Sequence, residues 1–201
     1  YCSADRASSY CLLVCGSQLG DLDHNGAWNV VDIIVLAVCI LANNCSDLEY
    51  GCAGDINGDG GYNVSDIVLI ANCILAQGTA GSCENLGTGR MASADDATES
   101  KLITRDSHMY IEADGFIGGV QMTLYHGNNF NIEMTDKAFF ADYLTSGNET
   151  RLLVIHPETD ELFSYSGDFE IAEIIVANSY AEVSVVDLPI AARFSLSEAY
   201  P

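Results

Sequence analysis

The chain has 201 residues, 29 acidic side chains against 7 basic ones, and a formal net charge of −22. No Lys or Arg occurs between Ala7 and Gly89, so nucleic acid, whose phosphates are held by basic side chains, is excluded as a partner. The length suits two domains of about 100 residues each, and no apolar run reaches the ~20 residues of a membrane span.

In chain order, the sequence opens at Tyr1 with neither an initiator Met nor a signal-peptide pattern, as expected of a processed secreted protein. Its cysteines are Cys2, Cys11, Cys15, Cys39, Cys45, Cys52, Cys73 and Cys83, with none beyond. An even number packed into a short module reads as four disulfides. A zinc or haem site is disfavoured: Cys11 and Cys15 are spaced C-x3-C, and the four His are scattered.

Two stretches then repeat one twelve-residue plan, beginning at Asp21 and at Asp55. Oxygen-bearing side chains fall at positions 1, 3, 5, 9 and 12, namely Asp21, Asp23, Asn25, Asn29 and Asp32, then Asp55, Asn57, Asp59, Asn63 and Asp66. Gly26 and Gly60 hold position 6. This is the ligand order of a calcium loop, in which the Gly permits the sharp turn around the ion. Two Asx-turn loops are the plainer alternative, but two copies in register argue against chance. Asn29 and Asn63 also stand where a helix N-cap is expected.

Val30–Leu41 and Val64–Leu75 follow the loops and align residue for residue, Cys39 over Cys73. The repeat therefore predicts that each of these pairs with the Cys after its helix, Cys45 and Cys83. That leaves Cys2, Cys11, Cys15 and Cys52 to staple the N-terminal arm and the approach to the second loop. The first helix is apolar on all sides apart from Asp32, so more than its sister helix must cover it.

The segments before each loop are short and rich in Gly and Cys, and position 12 is Asp, so each unit is a loop-then-helix half of an EF-hand. Residues 16–83 resemble a type I dockerin, the calcium module that plugs into cohesin domains of extracellular bacterial assemblies. The resemblance implies two Ca²⁺: one held by Asp21, Asp23, Asn25 and Asp32, the other by Asp55, Asn57, Asp59 and Asp66. The Ala27 and Gly61 carbonyls would fill position 7, and Asn29 and Asn63 would bind through water. Positions 10 and 11, which read the partner in dockerins, are Val30-Val31 and Val64-Ser65. Dockerins often carry hydroxyls there; the three valines here imply a drier, more permanent contact. The 34-residue period of tetratricopeptide repeats is shared, but their residue pattern is not.

Composition changes near Gly81. Residues 86–100 read as a linker between a module at 1–85 and a second domain at 101–201. Beyond it the apolar period is two. Lys101–Arg105 and His108–Ala113 flank Asp106-Ser107 as a tight hairpin. Val120–Tyr125, Phe130–Met134, Arg151–His156, Leu162–Ser166, Phe169–Ala177, Ala181–Asp187 and Ile190–Leu196 continue the series, while Lys137–Tyr143 fits a strand or a helical turn equally. The expected fold is thus multidomain: a disulfide-rich pair of half EF-hands, then an antiparallel β-sandwich. The lines Gly118–Leu124, Arg151–Ile155 and Ser164–Gly167 leading into Phe169–Ala177 resemble a reduced cohesin-type sandwich. Phe194–Pro201 resembles the lead-in to a type IX secretion sorting tail.

No nucleophile elbow, HExxH helix or phosphate-cradling loop is present, so a non-enzymatic role is expected. Two readings follow for a secreted, bacterial cell-surface protein whose partners are proteins. Either copies associate, dockerin-like half on the sandwich of the next copy, or the chain is the C-terminal anchoring module of a larger polysaccharide-degrading enzyme that docks to a cohesin-type partner. Carbohydrate is a possible partner that the sequence does not support.

Overall fold

The computed structural model describes residues 19–77, 83 and 95–189. These form two compact units: one contains 19–77, Cys83 and 179–181, the other 95–178 and 182–189. Cys2, Cys11, Cys15, the strand expected at Ile190–Leu196 and the tail segment from Phe194 lie outside the described residues.

In the first unit, α1 (Val30–Ala42) and α2 (Val64–Gln77) pack on each other. Each starts on a reciprocal cap. Asn29 Oδ1 accepts from the Val31 amide at 2.9 Å, and Asp32 accepts from the Asn29 amide at 2.9 Å. Asn63 and Asp66 repeat both bonds, from the Ser65 amide at 2.8 Å and the Asn63 amide at 3.1 Å. This capping box satisfies amides that the first helical turn leaves unpaired. α1 ends on Asn43 in the left-handed conformation, φ 52°, which an Asn tolerates at a helix end. Two short 3₁₀ turns, Cys45–Asp47 and Gly51–Gly54, join the repeats. A Cβ on Gly51 would stand 2.0 Å from the Cys45 carbonyl oxygen, so no other residue fits there.

Two disulfides bind the helix ends, Cys39–Cys45 and Cys73–Cys83, as the repeat predicts. Cys52 is bridged as well. α1 buries Ile33, Leu36, Ala37, Ile40 and Leu41. Four further apolar residues do not follow them inside: Val30, Val31, Ile34 and Val38 are 44–54 % exposed. They lie at i, i+1, i+4 and i+8, one stripe down the helix. No helix among the described residues is long and apolar enough to cross a membrane.

The described residues of the second unit form a two-layer sandwich of nine strands: β1 (Glu99–Arg105), β2 (His108–Ala113), β3 (Gly119–His126), β4 (Asn131–Met134), β5 (Ala138–Ser146), β6 (Glu149–Pro157), β7 (Glu161–Ser166), β8 (Phe169–Ala177) and β9 (Ser184–Asp187). One sheet has the order β4-β7-β2-β1-β9, the other β5-β6-β3-β8. Met109, Ile111, Met122, Leu124, Leu152, Val154 and Phe163 meet between them in one buried cluster. The rings of Phe130, Phe163, Tyr165 and Phe169 close one part of it, with centroids 4.8–6.1 Å apart. Each such side chain removed from water contributes about 1.5–3 kcal/mol.

Three expectations are corrected. The sandwich is not wholly antiparallel, because β1 and β9 pair in parallel. The chain reaches β9 by a crossover from β8 in the other sheet, and a crossover lacks the direction reversal that a hairpin imposes. Residues 95–100 are not linker: Ala97 is buried and β1 begins at Glu99. Residues 179–181 group with the helical unit, so the last described strand is only Ser184–Asp187. The ambiguous segment resolves as strand β5, which pairs with β6 through the turn at Gly147-Asn148. The β1–β2 turn is as predicted. Asp106 and Ser107 both have positive φ, 51° and 62°, the signature of a two-residue primed turn.

Candidate metal centres and docking face

The twelve-residue plan folds each loop around its own acids. In the first loop, Asp21 accepts from the Asn25 and Gly26 amides at 3.0 and 2.9 Å. Asp32 reaches back from the first turn of α1 to the Leu22 and Asp23 amides at 2.8 and 3.3 Å. Both carboxylates are buried. Carboxylate oxygens of Asp21, Asp23 and Asp32 lie within 4.8 Å of one another, the one such trio among the described residues. Asn25 donates its side-chain amide to Asp23 at 2.7 Å, and its Oδ1 receives the Ala27 amide at 2.8 Å. Gly26 takes φ 84° at the turn, a value an L side chain rarely adopts.

The second loop repeats the frame. Asp66 accepts from the Ile56 and Asn57 amides at 2.8 and 3.1 Å, and Asp55 from the Gly58 amide at 2.9 Å. Asn57 donates to Asp59 at 2.7 Å, and Asp59 accepts the Gly61 amide at 2.7 Å. Gly60 has φ 92°. The third acid stands at position 5 here, Asp59, where the first loop has Asp23 at position 3.

Electrostatics set these loops apart from ordinary Asx turns. Asp66 is fully buried, and its pKa rises from 3.8 to about 7. Desolvation is the chief cause, opposed by the three backbone amides and reinforced by Asp59. Asp32 is raised for the same reason, with Asp23 as its like-charged neighbour. Burial penalises an unpaired anion, and the sequence from Ala7 to Gly89 contains no Lys or Arg to compensate it. Buried carboxylates at both ends of each loop, with exposed oxygen-bearing side chains between them and no Lys or Arg in the surrounding sequence, fit a hard divalent ion.

Some loop contacts have no clear sequence signal. The His24 ring, at φ 56°, stacks on Tyr50 with centroids 4.2 Å apart, tying the first loop to the connection between repeats. The Trp28 indole donates to the Leu19 carbonyl at 2.7 Å, closing the loop's entry on its exit. Of the two residue pairs at positions 10 and 11, Val30-Val31 is exposed, whereas Val64 and Ser65 are buried and the Ser65 hydroxyl finds no partner.

No family model matches the chain, and no curated protein does. Two solved structures are similar to it. A non-cellulosomal cohesin from the hyperthermophilic archaeon Archaeoglobus fulgidus has 14% identity and a TM-score of 0.31, over 46% of this chain and 83% of that one. A cohesin module from a Clostridium perfringens family 33 glycoside hydrolase has 10% identity and a TM-score of 0.29, over 46% and 98%.

Proposed function

We propose that this is a secreted, calcium-stabilised structural protein whose copies join head to tail, the loop–helix unit of one seated on the β-sandwich of the next. The observation that carries the reading is the stripe Val30, Val31, Ile34 and Val38, exposed directly behind a calcium-type loop. An aliphatic stripe on a chain of net charge −22 is a docking face rather than a solubilising surface. The two loops position it. With Ca²⁺ bound, the buried carboxylates gain the counter-charge the sequence withholds, so ion binding and folding of the unit are coupled. A contact between two different surfaces propagates into a filament unless the ring closes.

Calorimetry on the full chain should find two Ca²⁺ with affinity of about 10⁻⁴ M or tighter. Light scattering should show assemblies in millimolar calcium that loosen on chelation. A stable monomer in calcium refutes self-assembly. The remaining reading is then the anchoring module, and a catalytic domain encoded upstream of Tyr1 would support it.

A further inference from the structure

The outer face of the five-stranded sheet carries a groove of about 750 Å³, within the ~300–1,000 Å³ of small-ligand clefts. Its floor comes from strand pairing. Glu133 on β4 lies opposite Ser164 on β7, Ser164 opposite His108 on β2, and His108 opposite Arg105 on β1. At ~4.8 Å per strand, this row of four polar side chains spans roughly 14 Å. Beside it, Tyr110 projects from β2 on the same face, since Met109 and Ile111 are buried. A bulge in the β2–β7 pairing turns both Leu162 and Phe163 into the core and leaves Glu161 on the groove side.

The groove is braced. Glu161 holds the His108 Nδ1 at 2.9 Å, and the Arg105 guanidinium lies 5.6 Å from the centroid of the Tyr110 ring. One end is walled by two connections that bond to the sheet and to each other. Thr135 donates its amide to the Leu162 carbonyl, Glu158 to that of Lys137, and Ile111 to that of Asp160.

The lining decides the ligand class. Carboxylates outnumber the cations Arg105 and Lys137, in a chain already strongly negative, so an anion is repelled. A cationic ligand finds three of the five acids already engaged, Glu112 by Lys101, Asp136 by Lys137 and Glu161 by His108. A neutral polyhydroxylated ligand uses both signs: its hydroxyls donate to the acceptor-only carboxylates and accept from the guanidinium and ammonium, while its C–H faces pack on the tyrosine ring. We propose that this groove binds a neutral oligosaccharide.

The test is native affinity electrophoresis of the full chain in gels containing a neutral β-glucan, a mannan or a xylan, with oligolysine binding measured alongside. The chain's own charge drives migration, so binding reads as retardation. At least one neutral polysaccharide should retard it. Tyr110→Ala should weaken that binding about tenfold, and the exposed Glu133→Gln about tenfold without changing the melting temperature. The proposal is overturned by no retardation with any of the three, by binding of oligolysine alone, or by retardation that both variants leave intact.

Discussion

Replacing Asp66 by asparagine should stabilise the metal-free protein at about pH 8, and calcium should offset most of that gain. Asp66 is fully buried, and its pKa stands at about 7 instead of 3.8. Below the unfolded value both states are protonated and the carboxyl adds nothing unfavourable. As pH rises through the window from 3.8 to about 7, the unfolded chain ionises first, and stability falls. At ~1.36 kcal/mol per pKa unit, the loss amounts to about 4 kcal/mol by neutral pH. Asparagine keeps one oxygen for the Ile56 and Asn57 amides, but turns an amide nitrogen toward the Asn63 amide, which costs about 1–3 kcal/mol. The net gain is about 1–3 kcal/mol, or roughly 5–20 °C for a unit this small. In calcium that gain shrinks. A site filled at 100 times its Kd contributes ~2.7 kcal/mol, and the variant forfeits most of that at the second loop. Thermal melts by circular dichroism, with chelator and with millimolar calcium, give both shifts. A variant that melts lower in chelator, or that shifts equally in both conditions, defeats the argument that the buried charge is what makes the empty loop unstable.

Ile34→Asp should abolish calcium-dependent assembly seen by light scattering while leaving the melting temperature within about 2 °C, because Ile34 is 44 % exposed. His156 is held below its ordinary 6.5 by burial, and its Nε2 finds no partner. Above that pH both states are neutral. Below it the unfolded chain takes the proton first, so the sandwich should lose stability as pH falls from 6.5. In His156→Asn, which tolerates the φ of 46°, that loss should flatten in urea titrations read at several pH values. Gly51→Ala places a methyl 2.0 Å from the Cys45 carbonyl and should destabilise the loop–helix unit by roughly 3 kcal/mol or more; an unchanged melt would show that the turn yields freely.

What the sequence alone determined is the local part of this protein. The spacing of the loop acids, the position-6 glycines, the Asn29 and Asn63 caps and the Asp106-Ser107 turn all act over a few residues, so their geometry is written in consecutive side chains. The bridges Cys39–Cys45 and Cys73–Cys83 are short-range too, and the internal repeat pointed to both. Tertiary structure decided the rest. In an all-round apolar helix, nothing in the sequence distinguishes Ile33, which is buried, from Ile34, which is exposed; neighbours choose the face. The parallel β1–β9 pair joins the first and last described strands of the chain, and β5 became a strand because β6 pairs with it. The row Glu133, Ser164, His108 and Arg105 is legible only after four strands lie side by side, because residues far apart in the chain become neighbours through register, which local pattern does not encode.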